Sequence, residues 1–258
     1  MCRIINFVSG AGGVGKSSII YELSNRLAAD GKRVCVFDAY FSINSIFFSY
    51  KTKTNVDLKE IFSTNFLIDG TLNYVNNNLR VIKTNSSITD YLSHEDEIKK
   101  YFKELEKIFD YILIDTNSFD SRILKLVSKI SNEAMLITNN TFESLRRLET
   151  MLPIILSNEN LKNIKVIFNK ARLIHEFDGR AFSFEDIEDI LKVKVLFTIP
   201  LFYKHNYFKN EKYTFYQKNL IDNFYYVFIT NKPFNVSYKN KYLGIVGLIK
   251  RRLYEKYE

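Results

Sequence analysis

Short apolar stretches alternate with longer stretches of helical periodicity along most of the chain. The apolar stretches are rich in β-branched residues and lack regular polar alternation, which is typical of strands buried on both faces. They predict strands over residues 3–8, 33–37, 79–83, 111–115, 134–138, 164–169 and 195–199. Apolar residues at helical spacing predict helices over residues 16–29, 57–63, 94–108, 121–131, 141–156 and 184–192. The alternation predicts an α/β fold, with a mostly parallel sheet and helices on both of its faces.

A glycine-rich segment joins the first predicted strand to the first predicted helix. It fits the pattern G-x-x-x-x-G-K-[ST], with Gly10 as its first residue and Lys16-Ser17 as its last two. Glycines let backbone N–H groups close around phosphate oxygens, and the following helix presents its positive end to the same oxygens. The pattern therefore predicts a phosphate-binding loop. Its expected contact residues are Gly10, Ala11, Gly12, Gly13, Val14, Gly15, Lys16, Ser17 and Ser18.

Two aspartates follow apolar strands and are candidates to work with this loop. Asp38 comes directly after the strand at 33–37, and Asp115 ends the strand at 111–115. The carboxyl ends of parallel strands share one edge of a sheet, and ligands bind at that edge. We expect Ser17, Asp38 and Asp115 to hold Mg²⁺ or its bound water. Lys16 would reach the β- and γ-phosphates, so Lys16, Asp38 and Asp115 are the candidate catalytic residues.

The composition sets limits on the class of protein. The 258 residues are 46% hydrophobic and 26% charged, which suits one globular α/β domain with a large core. No apolar stretch approaches the roughly 20 residues of a membrane span, and the N-terminus lacks a signal-peptide pattern. Cys2 and Cys35 fall in or beside predicted strands, so we expect core residues and no disulfide or metal site. These features predict a cytoplasmic protein.

The net charge of +8 is concentrated towards the C-terminus. From residue 201 onward there are eleven basic and four acidic residues, a net charge of +7. A basic region of this kind indicates an anionic partner, either a membrane surface or nucleic acid. A solvated basic face without a partner is the structural alternative.

In order and spacing, these segments resemble the MinD/ParA group of deviant-Walker P-loop ATPases. The resemblance runs from residue 1 to about residue 201 and covers the phosphate loop, both strands that precede the aspartates, and the Ile-Pro strand end at 199–200. It implies a P-loop NTPase fold that binds ATP or ADP with Mg²⁺ and forms a homodimer. It also implies that Asn169 and Lys170 read the adenine base, since an amide both donates and accepts hydrogen bonds. A turn-forming Asn169 is the alternative.

MinD-like members of the group end in an amphipathic helix that binds membranes, and residues 242–257 can form one. We therefore divide the chain into an ATPase domain at 1–240 and a C-terminal basic amphipathic helix at 241–258. Lys250, Arg251 and Arg252 flank the apolar face, where they could meet anionic headgroups. A terminal helix docked on the protein body is the alternative. The apolar face would consist of Tyr242, Ile245, Val246, Ile249, Leu253 and Tyr257.

Two residues depart from the pattern of the group. Its loop carries a second lysine after the first glycine, where this chain has Ala11. Its first switch region usually carries a further aspartate where this chain has Tyr40, and a phenol is a poor base at neutral pH. A methyl group at position 11 cannot stabilise charge that develops on a transferring phosphoryl group. We therefore expect retained ATP binding with slow, partner-dependent or absent hydrolysis.

Three functions compete. The leading interpretation is a MinD-like positioning protein that is peripheral on the inner face of the cell membrane and recruits a division, flagellar or pilus component. The second is a ParA-type partition ATPase that binds DNA phosphates without sequence preference. The third is a P-loop kinase or ligase, although no acceptor-substrate motif is evident in the sequence.

Overall fold

The computed structural model describes residues 2–39, 50, 68–83, 92–116, 119–172, 181–201 and 215–233. Its strands are β1 (Arg3–Ser9), β2 (Val34–Ala39), β3 (Asn73–Tyr74), β4 (Leu79–Lys83), β5 (Tyr111–Thr116), β6 (Glu133–Thr138), β7 (Asn163–Ala171) and β8 (Val195–Pro200). Its helices are α1 (Lys16–Ala29), α2 (Glu95–Ile108), α3 (Ser121–Ile130), α4 (Phe142–Leu156), α5 (Phe184–Leu191) and α6 (Phe215–Thr230), with one 3₁₀ turn at Ile68–Thr71.

All seven predicted strands are confirmed, and so are five of the seven predicted helices. The predicted helix at 57–63 and the C-terminal helix at 242–257 lie outside the described residues. Apart from the 3₁₀ turn at Ile68–Thr71, one strand and one helix were not predicted. The short strand β3 is only two residues long, and α6 lies in an aromatic-rich stretch without a clear helical period.

The strands form one sheet in the order β3-β4-β2-β5-β1-β6-β7-β8. Strand β2 pairs in parallel with both β4 and β5, β1 pairs in parallel with β5, and β7 pairs in parallel with β8. In contrast, β3 pairs with its neighbour β4 in the antiparallel direction. The prediction of a mostly parallel α/β sheet is confirmed. Parallel strands need crossover connections, and helices provide most of those described here.

The described chain divides into two compact units. The first takes its residues from Met1–Ser9, Lys16–Leu136 and Thr150–Ile164. Its main core includes Phe37 of β2, Phe102 of α2 and Ile112 of β5, and the rings of Phe37 and Phe102 lie 5.0 Å apart. At the amino ends of β1 and β6, Arg3 makes a bidentate pair with Glu133, at 2.6 and 2.8 Å.

The second unit takes its residues from Gly10–Gly15, Ile137–Glu149 and Lys165–Glu258. Helix α6 packs on β8 in this unit, where the rings of Phe224 and Phe197 lie 5.5 Å apart. Helix α5 begins with a reciprocal capping box between Ser183 and Asp186. This arrangement satisfies backbone donors that the first turn of a helix leaves free.

The two cysteines are core residues, as the sequence predicts. Cys2 and Cys35 are both buried and both reduced, and they belong to the core of the first unit. Burial raises the pKa of Cys2 to about 12 and also raises the pKa of Cys35. Both side chains therefore remain protonated thiols at neutral pH, which are poor nucleophiles and poor metal ligands.

Candidate functional site

The glycine-rich loop lies where the sequence predicts it, between β1 and α1. Strand β1 ends at Ser9 and α1 begins at Lys16, so the loop occupies residues 10–15. Gly13 and Gly15 have positive φ angles of 71° and 93°. Such angles turn successive N–H groups towards one side of a loop, which is the geometry of an anion-binding nest. Gly12 and Gly13 are exposed, and beyond their chain neighbours no atom lies within 4 Å of the position that a Cβ would take on either residue.

Lys16 and Ser17, in the first turn of α1, both contact the carboxylate of Asp115. The Lys16 ammonium donates to Asp115 Oδ1, and the Ser17 hydroxyl donates to Asp115 Oδ2 at 2.7 Å. The side chains of Lys16 and Asp115 are only 6% and 1% exposed. A buried ammonium requires a nearby anion, and Asp115 is that anion here. Three of the predicted site residues therefore come together within the first unit.

Asp38 also belongs to this group. It pairs directly with Asp115 in the register of β2 and β5, one residue before the end of each strand. It is 2% exposed. Parallel pairing thus aligns the two carboxylate-bearing residues at the carboxyl edge of the sheet, as predicted from the two strand ends.

A buried polar cluster that the sequence analysis missed supports the end of β5. Thr116, next to Asp115, donates its hydroxyl hydrogen to Asn6 Oδ1 at 2.6 Å. The Asn6 amide in turn contacts the Ser128 hydroxyl of α3 at 3.4 Å. The sequence contained an indication of this cluster, because Asn6 is the only polar residue within the apolar run at 4–8 of β1. Buried polar groups of this kind need partners, which fixes the position of the strand end.

The predicted adenine-reading pair, Asn169 and Lys170, contacts the glycine-rich loop itself. Asn169 Nδ2 donates to the Val14 carbonyl oxygen at 2.6 Å, and Lys170 Nζ donates to the Gly13 carbonyl oxygen. A Cβ on Gly15 would lie 2.3 Å from Asn169 Nδ2. Gly15 is therefore required both by its φ angle and by the approach of Asn169.

Gly10 has a different structural role from the one the motif suggests. A Cβ at this position would lie 1.9 Å from the carbonyl oxygen of Ser144, in the first turns of α4. The backbone of the loop and the backbone of α4 are thus in direct contact within the second unit. The first glycine of the motif is needed here for packing.

The donor set fits a magnesium nucleotide. Mg²⁺ prefers oxygen ligands and is commonly held by one or two carboxylates together with phosphates. Within the first unit, Ser17, Asp38 and Asp115 offer one hydroxyl and two carboxylates. Among the described residues, no group of three or more His, Cys, Asp and Glu side chains could hold a metal ion on its own.

Two of the predictions made from the sequence concern residues outside the described part of the chain. Tyr40, the second residue that departs from the pattern of the resembled group, is one of them. The amphipathic segment from Tyr242 to Tyr257 is the other. In the part of the chain that the structure describes, no helix combines the length and the apolar character needed to span a bilayer.

The sheet, the loop between β1 and α1, and the Lys16–Asp115 pair define a P-loop NTPase fold. The AAA domain family AAA_31 matches residues 2–168, well over half of the chain. The chain belongs to this family, and within the P-loop class it is a MinD/ParA-like ATPase.

The chain is similar in sequence to MinD proteins and to an ATP-binding protein. The septum site-determining protein MinD of Synechocystis is 24% identical over 204 residues, which are 78% of this chain and 76% of the relative. An uncharacterized ATP-binding protein of Methanocaldococcus jannaschii is 30% identical over 122 residues, 47% of this chain. The chain spans 46% of the length of that archaeal protein.

Solved structures agree with the fold. The MinC:MinD cell division protein complex of Aquifex aeolicus has a TM-score of 0.74 at 21% identity, covering 92% of this chain and 98% of the compared chain. The MinD of Pyrococcus horikoshii complexed with Mg-ADP has a TM-score of 0.63 at 22% identity, covering 78% and 82%. Both comparisons show that the chain shares this fold.

Proposed function

We propose that this chain is an ATP-binding, MinD-like positioning protein that acts as a nucleotide-dependent membrane switch or scaffold with weak hydrolysis. One observation carries the proposal. Lys16 and Ser17 converge on Asp115, Asp115 is paired with Asp38, and the same loop lacks the second lysine of the group because position 11 is alanine. Groups suited to holding a magnesium nucleotide are therefore present, while a group used for its hydrolysis is absent.

Different groups of the protein would bind the phosphates, the metal and the base of the nucleotide. The backbone N–H groups of the glycine-rich loop would receive the phosphates, and Lys16 would exchange its contact with Asp115 for a phosphate oxygen. Ser17 would ligate Mg²⁺, with Asp38 and Asp115 holding the metal or its water shell. Bound Mg²⁺ would neutralise negative charge on the phosphates. Asn169 and Lys170 remain candidates to contact the base.

Weak turnover follows from position 11. A lysine there would provide a positive charge towards a transferring phosphoryl group, and the Ala11 methyl group cannot. Tyr40 lacks the carboxylate that the group uses near its attacking water. The chain would then remain for long periods in one nucleotide state, which suits a switch or scaffold that a partner protein resets.

Membrane attachment would come from residues 242–257. The basic residues near this segment would face anionic lipid headgroups while its apolar face enters the interface. A single helix of this kind binds weakly, so a homodimer that presents two copies would bind far more strongly. The septum site-determining names of the relatives support a positioning role at division, with flagellar or pilus placement as variants of it.

The net charge of +7 beyond residue 200 also supports a second candidate, a ParA-type ATPase that binds DNA without sequence preference. This candidate shares the ATP site and differs only in the anionic partner. A P-loop kinase or ligase has no supporting observation among the described residues.

Sedimentation with anionic liposomes in MgATP and in MgADP tests the proposal. We expect the full chain to sediment with the liposomes in MgATP and to remain in solution in MgADP. Absence of binding in both states would contradict the membrane switch. A mobility shift of arbitrary DNA that weakens steeply with salt would then support the partition function.

A further inference from the structure

The carboxyl end of β7 has an irregular backbone. The pairing of β7 with β8 shifts register between Asn169 and Ala171, so Lys170 is an extra residue in its strand. Lys170 has a φ of 55°, a left-handed conformation that lysine rarely adopts. Backbone conformations of this kind persist where the surrounding structure holds them, and they concentrate at functional sites.

This bulge brings two consecutive side chains to the same loop. In a regular strand, neighbouring residues point to opposite faces of the sheet. Here Asn169 and Lys170 instead donate to adjacent carbonyl groups, those of Val14 and Gly13. Asn169 is 5% exposed, and the glycine at position 15 leaves room for its amide.

The geometry of the peptide bond transmits these contacts to the phosphate side of the loop. In a trans peptide, the carbonyl of one residue and the N–H of the next point in opposite directions. A held Gly13 carbonyl therefore fixes the N–H of Val14, and a held Val14 carbonyl fixes the N–H of Gly15. Both N–H groups are turned away from Asn169 and Lys170.

We propose that Asn169 and Lys170 are positioning residues that preset the phosphate-binding N–H groups of the loop. Their effect is on the polyphosphate of the nucleotide and does not depend on the base. This proposal rests on the nucleotide binding proposed above. It differs from the adenine-reading role implied by resemblance, because it requires the pair to act on a ligand that has no base.

Isothermal titration calorimetry with MgATP and with magnesium tripolyphosphate, which lacks a base, separates these roles. The variants are Asn169→Leu and Lys170→Met, with Lys170→Arg as a conservative rescue. We expect Asn169→Leu and Lys170→Met each to lower the affinity for both ligands by the same factor. That factor should be about tenfold, which corresponds to about 1.4 kcal/mol of binding free energy. Lys170→Arg should restore most of the affinity for both ligands, since arginine can also donate to Gly13.

Lys192→Met is the matched control. Lys192 is exposed and also has a left-handed backbone, with a φ of 53°, so its variant loses the same charge from the same conformation. It should leave both affinities unchanged.

Two results would overturn the proposal. Loss of MgATP affinity with unchanged tripolyphosphate affinity would assign the pair to the base, and unchanged affinity for both ligands would remove the pair from the site. A wild-type chain that bound neither ligand would instead contradict the proposed function, and this inference with it.

Discussion

Asp38 and Asp115 occupy paired positions on the adjacent parallel strands β2 and β5, one residue before each strand ends. Asp115 also accepts hydrogen bonds from Lys16 and Ser17. Four residues from three separate segments thus form one polar group at the carboxyl edge of a largely apolar sheet. Because Lys16, Asp38 and Asp115 are buried, their polar interactions are strong and costly to break.

The buried pair of Lys16 and Asp115 predicts a strong coupling in stability. Lys16→Met and Asp115→Asn should each reduce the free energy of unfolding by about 3 kcal/mol, because each leaves one buried charge without its partner. The double variant should be more stable than the sum of the two losses predicts, since it removes both charges. Urea denaturation of the four proteins checks this, and losses that add within about 0.5 kcal/mol would argue against coupling.

Gly10 and Gly12 should respond very differently to alanine. Gly10→Ala should lower stability by about 3 kcal/mol, because its Cβ would lie 1.9 Å from the Ser144 carbonyl oxygen. Gly12→Ala, the matched control, should stay within about 0.5 kcal/mol of wild type, because no atom beyond the adjacent residues lies within 4 Å of its Cβ. Thermal unfolding of both variants checks the contrast, and similar melting temperatures would contradict the close packing of the loop on α4.

Asp120, which caps the N-terminus of α3, predicts that the stability of the protein depends on pH. Asp120 accepts hydrogen bonds from the backbone N–H groups of Arg122 and Ile123. Its pKa is lowered chiefly by the side-chain hydrogen bond with Arg122. A lowered pKa in the folded state gives stability that is present above the unfolded pKa, near 3.9, and lost as pH falls through the folded pKa.

Asp120→Ala should therefore lower the free energy of unfolding by about 1 kcal/mol at pH 7, and by progressively less as the pH falls below about 4. Asp120→Asn keeps the cap without a titrating group. The difference in the free energy of unfolding between Asp120→Asn and Asp120→Ala should therefore change little with pH. Urea denaturation at several pH values checks both, and a pH-independent loss in Asp120→Ala would contradict the assignment.

Introducing a lysine at position 11 tests the proposal that Ala11 limits ATP hydrolysis. Ala11→Lys should raise ATP turnover by about 10- to 100-fold, because it adds a positive charge where charge develops. Ala11→Met, which has a long side chain without charge, should leave turnover unchanged. Phosphate release measures both, and equal turnover in all three proteins would move the limitation to Tyr40 or to an activating partner.

The segment at 242–257 predicts a charge-sensitive contact with membranes. Leu253→Glu should reduce ATP-dependent sedimentation with anionic liposomes at least about tenfold, because it places a charge on the predicted apolar face. Gly244→Glu adds the same charge to the opposite face and should retain binding. ATP affinity should be unchanged in both variants, and membrane binding that survives Leu253→Glu would contradict the terminal-helix hypothesis.

The sequence by itself determined seven of the eight described strands, most of the described helices and the glycine-rich loop, because these follow from local patterns. Apolar runs, helical periodicity and the spacing from Gly10 to Ser17 each act over a short stretch of chain. The position of Asp38 and Asp115 at strand ends was also predictable, since parallel strands share one carboxyl edge.

Only the tertiary structure decided how distant residues meet. The contact of Gly10 with Ser144, the extra residue Lys170 in β7, and the donation from Asn169 to Val14 depend on segments far apart in sequence. Helix α6 was missed because its burial comes from packing on β8 and gives no clear period. Local pattern specifies which elements form, and long-range packing specifies which side chains share a site.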